Sequence, residues 1–378
     1  MAGQMHPHVL LLGYYGRGNF GDDLMAWMIA RHLAMHGLAC TVFSLGEGER
    51  DSLRVPDFER VGIASTQDPD VALRRATMVV KGGGAMFVPA QDHTRPYSVA
   101  ARRHAELADR VCAMGLSRAV ISVGGDGACR ADHLDRSTRG FLEGVAYASV
   151  RNREDLRVLG DLGVRGDWFP DIVWLAGQFM PRMHRPGPRL RIGLDIYTAN
   201  VLARGSAWVL AMLQGVVLAR GDVTFVCLNS THRVMGSSAG IGKLIRGFNV
   251  ESYQFHDFET DATQLASLDL LVSTRLHVPL IALQAGVPVV FLLGEGKTRL
   301  FLESLGMSSC FYGRERVAEL MRTLGSRKKL VAMIEKSPKP DVRTQQRSSM
   351  GHLAGLVATI RAASHQGDRV SHRRSPEG

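Results

Sequence analysis

The chain has 378 residues, 45% hydrophobic and 22% charged, with 46 Lys and Arg against 36 Asp and Glu for a net charge of +10. That length exceeds one compact core and suits two domains, and no apolar run reaches the ~18 residues needed to span a bilayer. The positive charge calls for an anionic partner or serves solubility alone. Lys and Arg are spread along the chain and form no stripe interleaved with aromatics, which argues against nucleic acid.

The chain begins with strand–helix alternation. Residues 9–14 read as a first strand, too short and without the basic leader of a signal peptide. A glycine-rich loop, 13–21, leads into a helix over 22–36, where Ala26, Ile29, Ala30 and Leu33 recur at i, i+3, i+4, i+7. Strands follow at 38–45 and 76–81, the second closed by Gly82, Gly83 and Gly84. A helix is predicted over 99–113, then a strand, 119–123, ending in Gly124-Gly125-Asp126-Gly127. A helix at 134–144, a strand at 146–150 ending at Arg151, and a helix at 153–162 capped by Gly163 complete the first half. Prolines and arginines across 170–191 interrupt the pattern and read as an inter-domain linker.

Alternation then resumes. Strands are predicted at 190–195, 223–228, 251–255 and 268–272, and helices at 201–219, 240–247 and 261–267. Next comes a polar corner, Ser273-Thr274-Arg275-Leu276-His277. Pro279 is tolerated in the first turn of the helix after it, and Gly286 ends that helix. A buried strand, 287–293, leads to Lys297. Further helices are expected at 299–305, 314–324, 328–336 and 350–363. Residues from 364 to 378 are polar and expected to be disordered. The expected architecture is α/β and GT-B-like, with two Rossmann-like domains facing across a cleft. The domains would be 1–180 and 181–345, with a C-terminal helix over 346–363.

The five cysteines, Cys40, Cys112, Cys129, Cys227 and Cys310, are scattered and form no CxxC spacing. Neither a zinc site nor a disulfide framework is suggested, and a reducing cytoplasm fits. Residues 16–21, Gly-Arg-Gly-Asn-Phe-Gly, match the GxGxxG dinucleotide fingerprint after a strand and before a helix. Asp22 and Asp23 follow at once, however, and would repel a pyrophosphate from the helix N-terminus. The acidic residue wanted after the second strand is not clearly present. Asn19, Asp22 and Asp23 suit capping and loop bracing, with Asn19 and Asp22 also open as ligand contacts. Gly82, Gly83 and Gly84 form either a tight turn or a bare backbone that a ligand can approach.

Five segments occur in order: GYYGRGNFGDD near the start, KGGGAMF at 81–87, SVRN at 149–152, PDIVWL at 170–175, and STRLHVPLIALQAGVPVVFLLGEGK at 273–297. Together they resemble the polysaccharide pyruvyl transferase family over residues 9–305. The resemblance implies a GT-B-like fold and an enzyme that moves pyruvate from phosphoenolpyruvate onto two hydroxyls of a sugar. The product is a ketal in a bacterial surface or cell-wall polysaccharide or its lipid-linked precursor, and phosphate leaves. It implies no cofactor and no metal, with phosphoenolpyruvate as co-substrate on the C-terminal domain and a glycan acceptor on the N-terminal one. By matching positions, Arg151, Arg275 and His277 form the catalytic set, and Arg151, Arg275, Leu276 and Lys297 bind phosphoenolpyruvate. The chain departs from the family at Asp126, where a proline is common, and in the residues just before Lys297, where an aromatic is common.

The residue chemistry agrees with that set. Ketal transfer needs a proton donor for the methylene carbon and cations for a phosphate and a carboxylate. His277 can donate near neutral pH, and Arg151 and Arg275 can bind either anion in bidentate fashion. A GT-B glycosyltransferase using a nucleotide sugar is the alternative, with the same cations on a diphosphate. A non-catalytic member of a glycan assembly complex is a third reading, which retention of Arg151, Arg275 and His277 together disfavours. His93 and Arg95, in the loop after the glycines, either face the cleft or are merely solvated, and His6 and His8 read as bystanders. The expected location is cytoplasmic. Basic residues in the linker and tail leave open a peripheral contact with the inner face of the membrane. Oligomeric state is not legible.

Overall fold

The computed structural model describes residues 7–17, 19–45, 64–87, 99–125, 127–180, 189–203, 205–230, 244–255, 257–294 and 296–372. Asp126, His6, His93, Arg95, residues 181–188 of the expected linker, most of the expected 240–247 helix and residues 373–378 lie outside these. Two compact units result. Unit 1 comprises residues 1–17, 22–172 and 347–378, and unit 2 comprises 18–21 and 173–346. The main passage from one unit to the next thus falls at 172/173, ahead of the expected boundary at 180/181.

Unit 1 is built on eight strands: β1 (His8–Leu12), β2 (Ala39–Phe43), β3 (Ala64–Thr66), β4 (Met78–Gly82), β5 (Ala85–Phe87), β6 (Ser117–Gly125), β7 (Tyr147–Val150) and β8 (Asp167–Trp168). Their order is β3-β2-β1-β4-β6-β7-β8, with β5 on β6, and every pairing is parallel. A parallel sheet has both faces covered by crossover helices, so its strands are near-continuous apolar runs. The runs VLLL in β1 and MVV in β4 are buried accordingly. Asp68 and Asp135 start two of the covering helices, accepting backbone N–H groups at 2.8 Å.

Unit 2 carries six parallel strands: β9 (Leu190–Asp195), β10 (Val223–Asn229), β11 (Val250–Gln254), β12 (Leu270–Ser273), β13 (Val289–Leu292) and β14 (Phe311–Tyr312). They are ordered β11-β10-β9-β12-β13-β14. Between β12 and β13 runs the helix His277–Gln284. Gly286 ends it at φ +79°, where the Val287 N–H donates to the Ala282 carbonyl at 2.9 Å. That is the left-handed stop expected of a glycine there.

Two sequence expectations differ. The segment after Pro170 is core and not linker at its start: Ile172–Phe179 forms a 3-10 helix whose residues Ile172, Val173, Trp174, Leu175 and Ala176 are fully buried. Its neighbouring prolines and arginines suggested a linker, but the apolar run decides. The last helix spans Val342–His372, well beyond 350–363 at both ends, so residues 364–372 continue a helix where polarity suggested disorder. Asp341 accepts the Thr344 N–H at its start, and propagation of a nucleated helix needs little apolar content.

Candidate functional site

Both sheets have the strand order in which the chain winds outward from a central strand, first one way and then the other. Ligands in such sheets bind at the carboxyl ends of the strands where the order reverses. In unit 2 that point lies between β9 and β12. The residues that end these strands are Asp195 on β9 and Ser273 on β12, and Arg275, Leu276 and His277 follow at once. The first sequence-predicted cluster therefore stands at the switch point, on the N-terminus of the 277–284 helix. The helix dipole favours an anion there.

A buried polar network fixes the Arg275 side chain. Asp195 is 1% exposed, and its two carboxylate oxygens accept from Ser230 and Ser273, each at 2.7 Å. Ser230 in turn accepts from Arg275 Nη1 at 3.0 Å. Ser273 accepts the Arg275 backbone N–H at 2.9 Å, and the guanidinium lies 5.1 Å from the Tyr197 ring centroid. Burial raises the Asp195 pKa, while Arg275, Ser230 and Ser273 pull it back down. The carboxylate thus reaches the arginine through a hydroxyl. Arg275 itself remains half-buried and open on part of its surface.

His277 has an unexpected neighbour. Residues 18–21 belong to unit 2, where the Phe20 N–H donates to the Ser230 carbonyl at 3.2 Å and the Phe20 ring stacks on Phe255 at 4.7 Å. This brings Gly21 against the imidazole. A Cβ on Gly21 would fall 2.0 Å from His277 Nδ1, so no other residue fits without moving the ring. Gly21 is the last glycine of the fingerprint-like hexapeptide, and the imidazole supplies its physical reason. Leu276 is buried beside the pair, and Lys297 is the second residue of the helix Gly296–Ser304, which follows β13.

In unit 1 the switch point lies between β1 and β4. Gly82, Gly83 and Gly84 stand there, Gly83 and Gly84 at φ +68° and +80°. A Cβ on Gly82 would strike Ile29 at 2.4 Å and one on Gly83 would strike Met25 at 2.4 Å, so these glycines serve close packing against the 20–35 helix. Gly84 is the roomier one, with Asp22 Oδ1 3.6 Å from such a Cβ. Asp23 is buried and accepts the Gly16 N–H at 2.7 Å, bracing the first loop. Asn19, in contrast, goes with unit 2.

Arg151 directly follows β7, two strands from the unit 1 switch point. Its side chain is 3% exposed and ion-paired through Nη1 to Asp171 Oδ2 at 2.8 Å. Gly124 makes room for it: a Cβ there would sit 2.9 Å from Arg151 Cγ. Asp171 is held in place from three sides. The next residue, Ile172, donates its N–H to Ser122 at 3.0 Å. Ser349 donates to the Pro170 and Asp171 carbonyls. His352 packs between Ser149 and the Pro170 carbonyl, at 2.8 and 3.0 Å. Ser122 sits at φ +51° where the β6–β7 register shifts, a strained backbone position. Burial holds the His352 pKa down at about 4, so it is neutral.

A profile of the polysaccharide pyruvyl transferase family matches residues 19–294, most of the chain and the segment that carries both corners. The chain belongs to that family. Members of a family of transferases are enzymes. No curated protein matches the sequence. Among solved structures, a protein described as a UDP-N-acetylglucosamine 2-epimerase from Listeria monocytogenes is similar with a TM-score of 0.62 at 12% identity, covering 98% of each chain. MnaA of S. aureus, solved with UDP, has a TM-score of 0.60 at 10% identity, covering 91% of this chain and 94% of that one. The spinosyn rhamnosyltransferase SpnG has a TM-score of 0.51 at 11% identity, covering 94% and 100%. At such identities these likenesses show the fold, which is GT-B-like.

The structure therefore gathers Arg275, Leu276 and His277 in unit 2, with Lys297 following the next strand. It places Asp22, Gly82, Gly83, Gly84 and Arg151 along the carboxyl edge of the unit 1 sheet. Asp195, Ser230 and Asp171 were not singled out from the sequence, and Gly21 was read only as part of a dinucleotide fingerprint. Asp171 lies inside the PDIVWL segment, and Asp195 ends a strand, which was the available signal for each.

Proposed function

We propose that the chain transfers pyruvate from phosphoenolpyruvate to a sugar of a bacterial polysaccharide or its lipid-linked precursor, forming a pyruvate ketal and releasing phosphate. The observation that carries this reading is the Arg275-Leu276-His277 corner at the unit 2 switch point, in a chain of this family. Arg275, oriented by Ser230 and Tyr197, grips the phosphate or carboxylate as a planar fork. Lys297 adds a point charge. His277 as imidazolium protonates the methylene carbon, which becomes a methyl group as the adjacent carbon takes up oxocarbenium character. One sugar hydroxyl adds there and returns its proton to His277. The C–O bond to phosphate then breaks, and the second hydroxyl closes the ketal as its proton leaves with the phosphate. For Arg151 we retain a cationic role toward the substrate on the strength of the family resemblance, with Asp171 fixing its orientation.

The test is acceptor-dependent phosphate release from phosphoenolpyruvate over a panel of glycosides, with the pyruvylated product identified by mass. Release that is abolished in His277→Ala and Arg275→Ala supports the reading, and near-normal turnover in His277→Ala removes the acid role. The UDP bound by S. aureus MnaA defines the competing outcome. If the chain consumes a nucleotide sugar and ignores phosphoenolpyruvate, it is a glycosyltransferase. A thermal shift on adding either donor is the quick first measurement.

A further inference from the structure

The helix Ala207–Ala219 of unit 2 has the sequence AWVLAMLQGVVLA, without a charged residue. Its inner side, Val209, Leu210, Leu213 and Val217, is buried in the unit 2 core. Its outer side is not polar. Trp208, Met212 and Leu218 are exposed, Leu218 at 59%, with small residues at 211, 215 and 219 between them. Those positions form a single helical stripe. Phe248, 90% exposed, extends the stripe beyond the helix's end: its ring lies 3.8 Å from where a Cβ on Gly221 would stand. The segment carrying it is pinned to the helix. Gln214 exchanges hydrogen bonds of 2.7 and 2.8 Å with the Arg246 backbone, and Asn249 donates to the Val217 carbonyl at 3.2 Å. A surface helix normally turns a polar face outward, and a contiguous exposed apolar face marks an interaction site.

Charge selects the partner. Arg220, just past the helix, is 5% exposed and paired with Asp222, so it adds no net charge to the face, and the exposed cations that flank the helix are Arg246 and Arg314. Asp222 is also paired with Arg327. Exposed Arg246 lies beside Gln214, toward the end of the helix. At its start, exposed Arg314 donates to the Gly205 carbonyl at 3.4 Å. A second copy docking here would set these cations against their own kind, which is unfavourable. An anionic bilayer accepts both components, aromatic and aliphatic side chains at the acyl boundary and arginines among the headgroups. We propose that this face docks the protein peripherally on an anionic lipid bilayer. Among the described residues no helix is long and apolar enough to cross a membrane, so the helix would lie in the interface. The inference does not depend on the reaction proposed above.

Sedimentation of the full chain with vesicles tests it, using phosphatidylcholine alone and an equal mixture with phosphatidylglycerol. Binding is expected to the mixture and to fall with salt. The double variant L218E/F248E should bind at least about tenfold more weakly, given the apolar area withdrawn. Arg246→Gln and Arg314→Gln should each weaken binding to the mixed vesicles by about fivefold. All four positions are exposed, and unchanged thermal unfolding confirms that the variants fold; Phe248→Ala serves as the milder version. Equal vesicle binding by wild type and L218E/F248E, or none by wild type, overturns the proposal. A wild-type dimer by light scattering that L218E/F248E dissolves, with no vesicle binding, would assign the face to a second copy instead.

Discussion

Two arginines follow the ends of strands in the two units, and a buried carboxylate orients each, by different means. Asp171 touches Arg151 directly, and both side chains are almost wholly withdrawn from water. Asp195 reaches the Arg275 guanidinium through the Ser230 hydroxyl and its backbone through Ser273, and Arg275 keeps part of its surface open. Direct pairing in a buried place makes an arginine part of the core, because removing either partner strands a charge. An intervening hydroxyl sets the direction of the guanidinium without neutralising it at close range. The same residue type at the same kind of position is thereby held by a direct ion pair in one unit and through a hydroxyl in the other.

The sharpest way to break this contrast is through turnover. Arg275→Ala is expected to lower kcat/KM for phosphoenolpyruvate by about a thousandfold, with Arg275→Lys recovering little, since an ammonium lacks the planar fork. Unfolding midpoints should stay near wild type in both, and a large stability loss would erase the distinction from Arg151. Arg151→Ala and Asp171→Asn should instead cost about 3–5 kcal/mol in urea unfolding, because each leaves a buried charge without its partner. Little change in either would show that Arg151 is as free to act as Arg275.

A smaller effect is expected from the intermediary. Ser230→Ala and Asp195→Asn should raise KM and lower kcat/KM by roughly tenfold to a hundredfold, the consequence of a misplaced group more than of a missing one. Gly21→Ala should act similarly by displacing His277, lowering kcat more than it raises KM. Unchanged kinetics would mean that the ring tolerates the methyl group. The last test concerns His352, beside the Asp171 corner. Its folded-state pKa of about 4 lies below the unfolded value of ~6.5, so the unfolded chain binds the extra proton first. Stability held fully above pH 6.5 should decline as pH falls toward 4, by about 3 kcal/mol from this group. Acid titration of unfolding should show a shallower decline in His352→Gln.

Much of this was written in local pattern. Gly286 after an apolar helix, the glycines after β4 and the polar corner after β12 all follow from backbone rules that act within a few residues. The order of strands and the partners of Arg275 do not, since Asp195, Ser230 and Ser273 come together only when β9, β10 and β12 lie side by side. Gly21 is the clearest case. In sequence it completes a dinucleotide fingerprint, and only the fold reveals an imidazole 256 positions later in the chain pressed against it. The segment after Pro170 misled in the opposite direction, because proline and arginine content outweighed five consecutive apolar residues that the core absorbs.

The 342–372 helix carries a practical consequence. Ser349 and His352 cover the end of β7, so unit 1 begins and ends with the termini of the chain while unit 2 is almost entirely an insert. A fragment cut after residue 172 would lack the residues that satisfy Ser149 and the Pro170 carbonyl, and should be insoluble or unfolded. Excision is the better dissection. Ser349 lies hydrogen-bonded to Asp171, so the chain leaves unit 1 and re-enters it at nearly the same place, and a short glycine bridge from 172 to 347 should close the gap. Conversely, residues 173–346, with residues 18–21 exchanged alongside them, make up the unit whose transplant between family members can be attempted through its two adjacent ends. Swapping it would show whether donor and acceptor selection reside in different units.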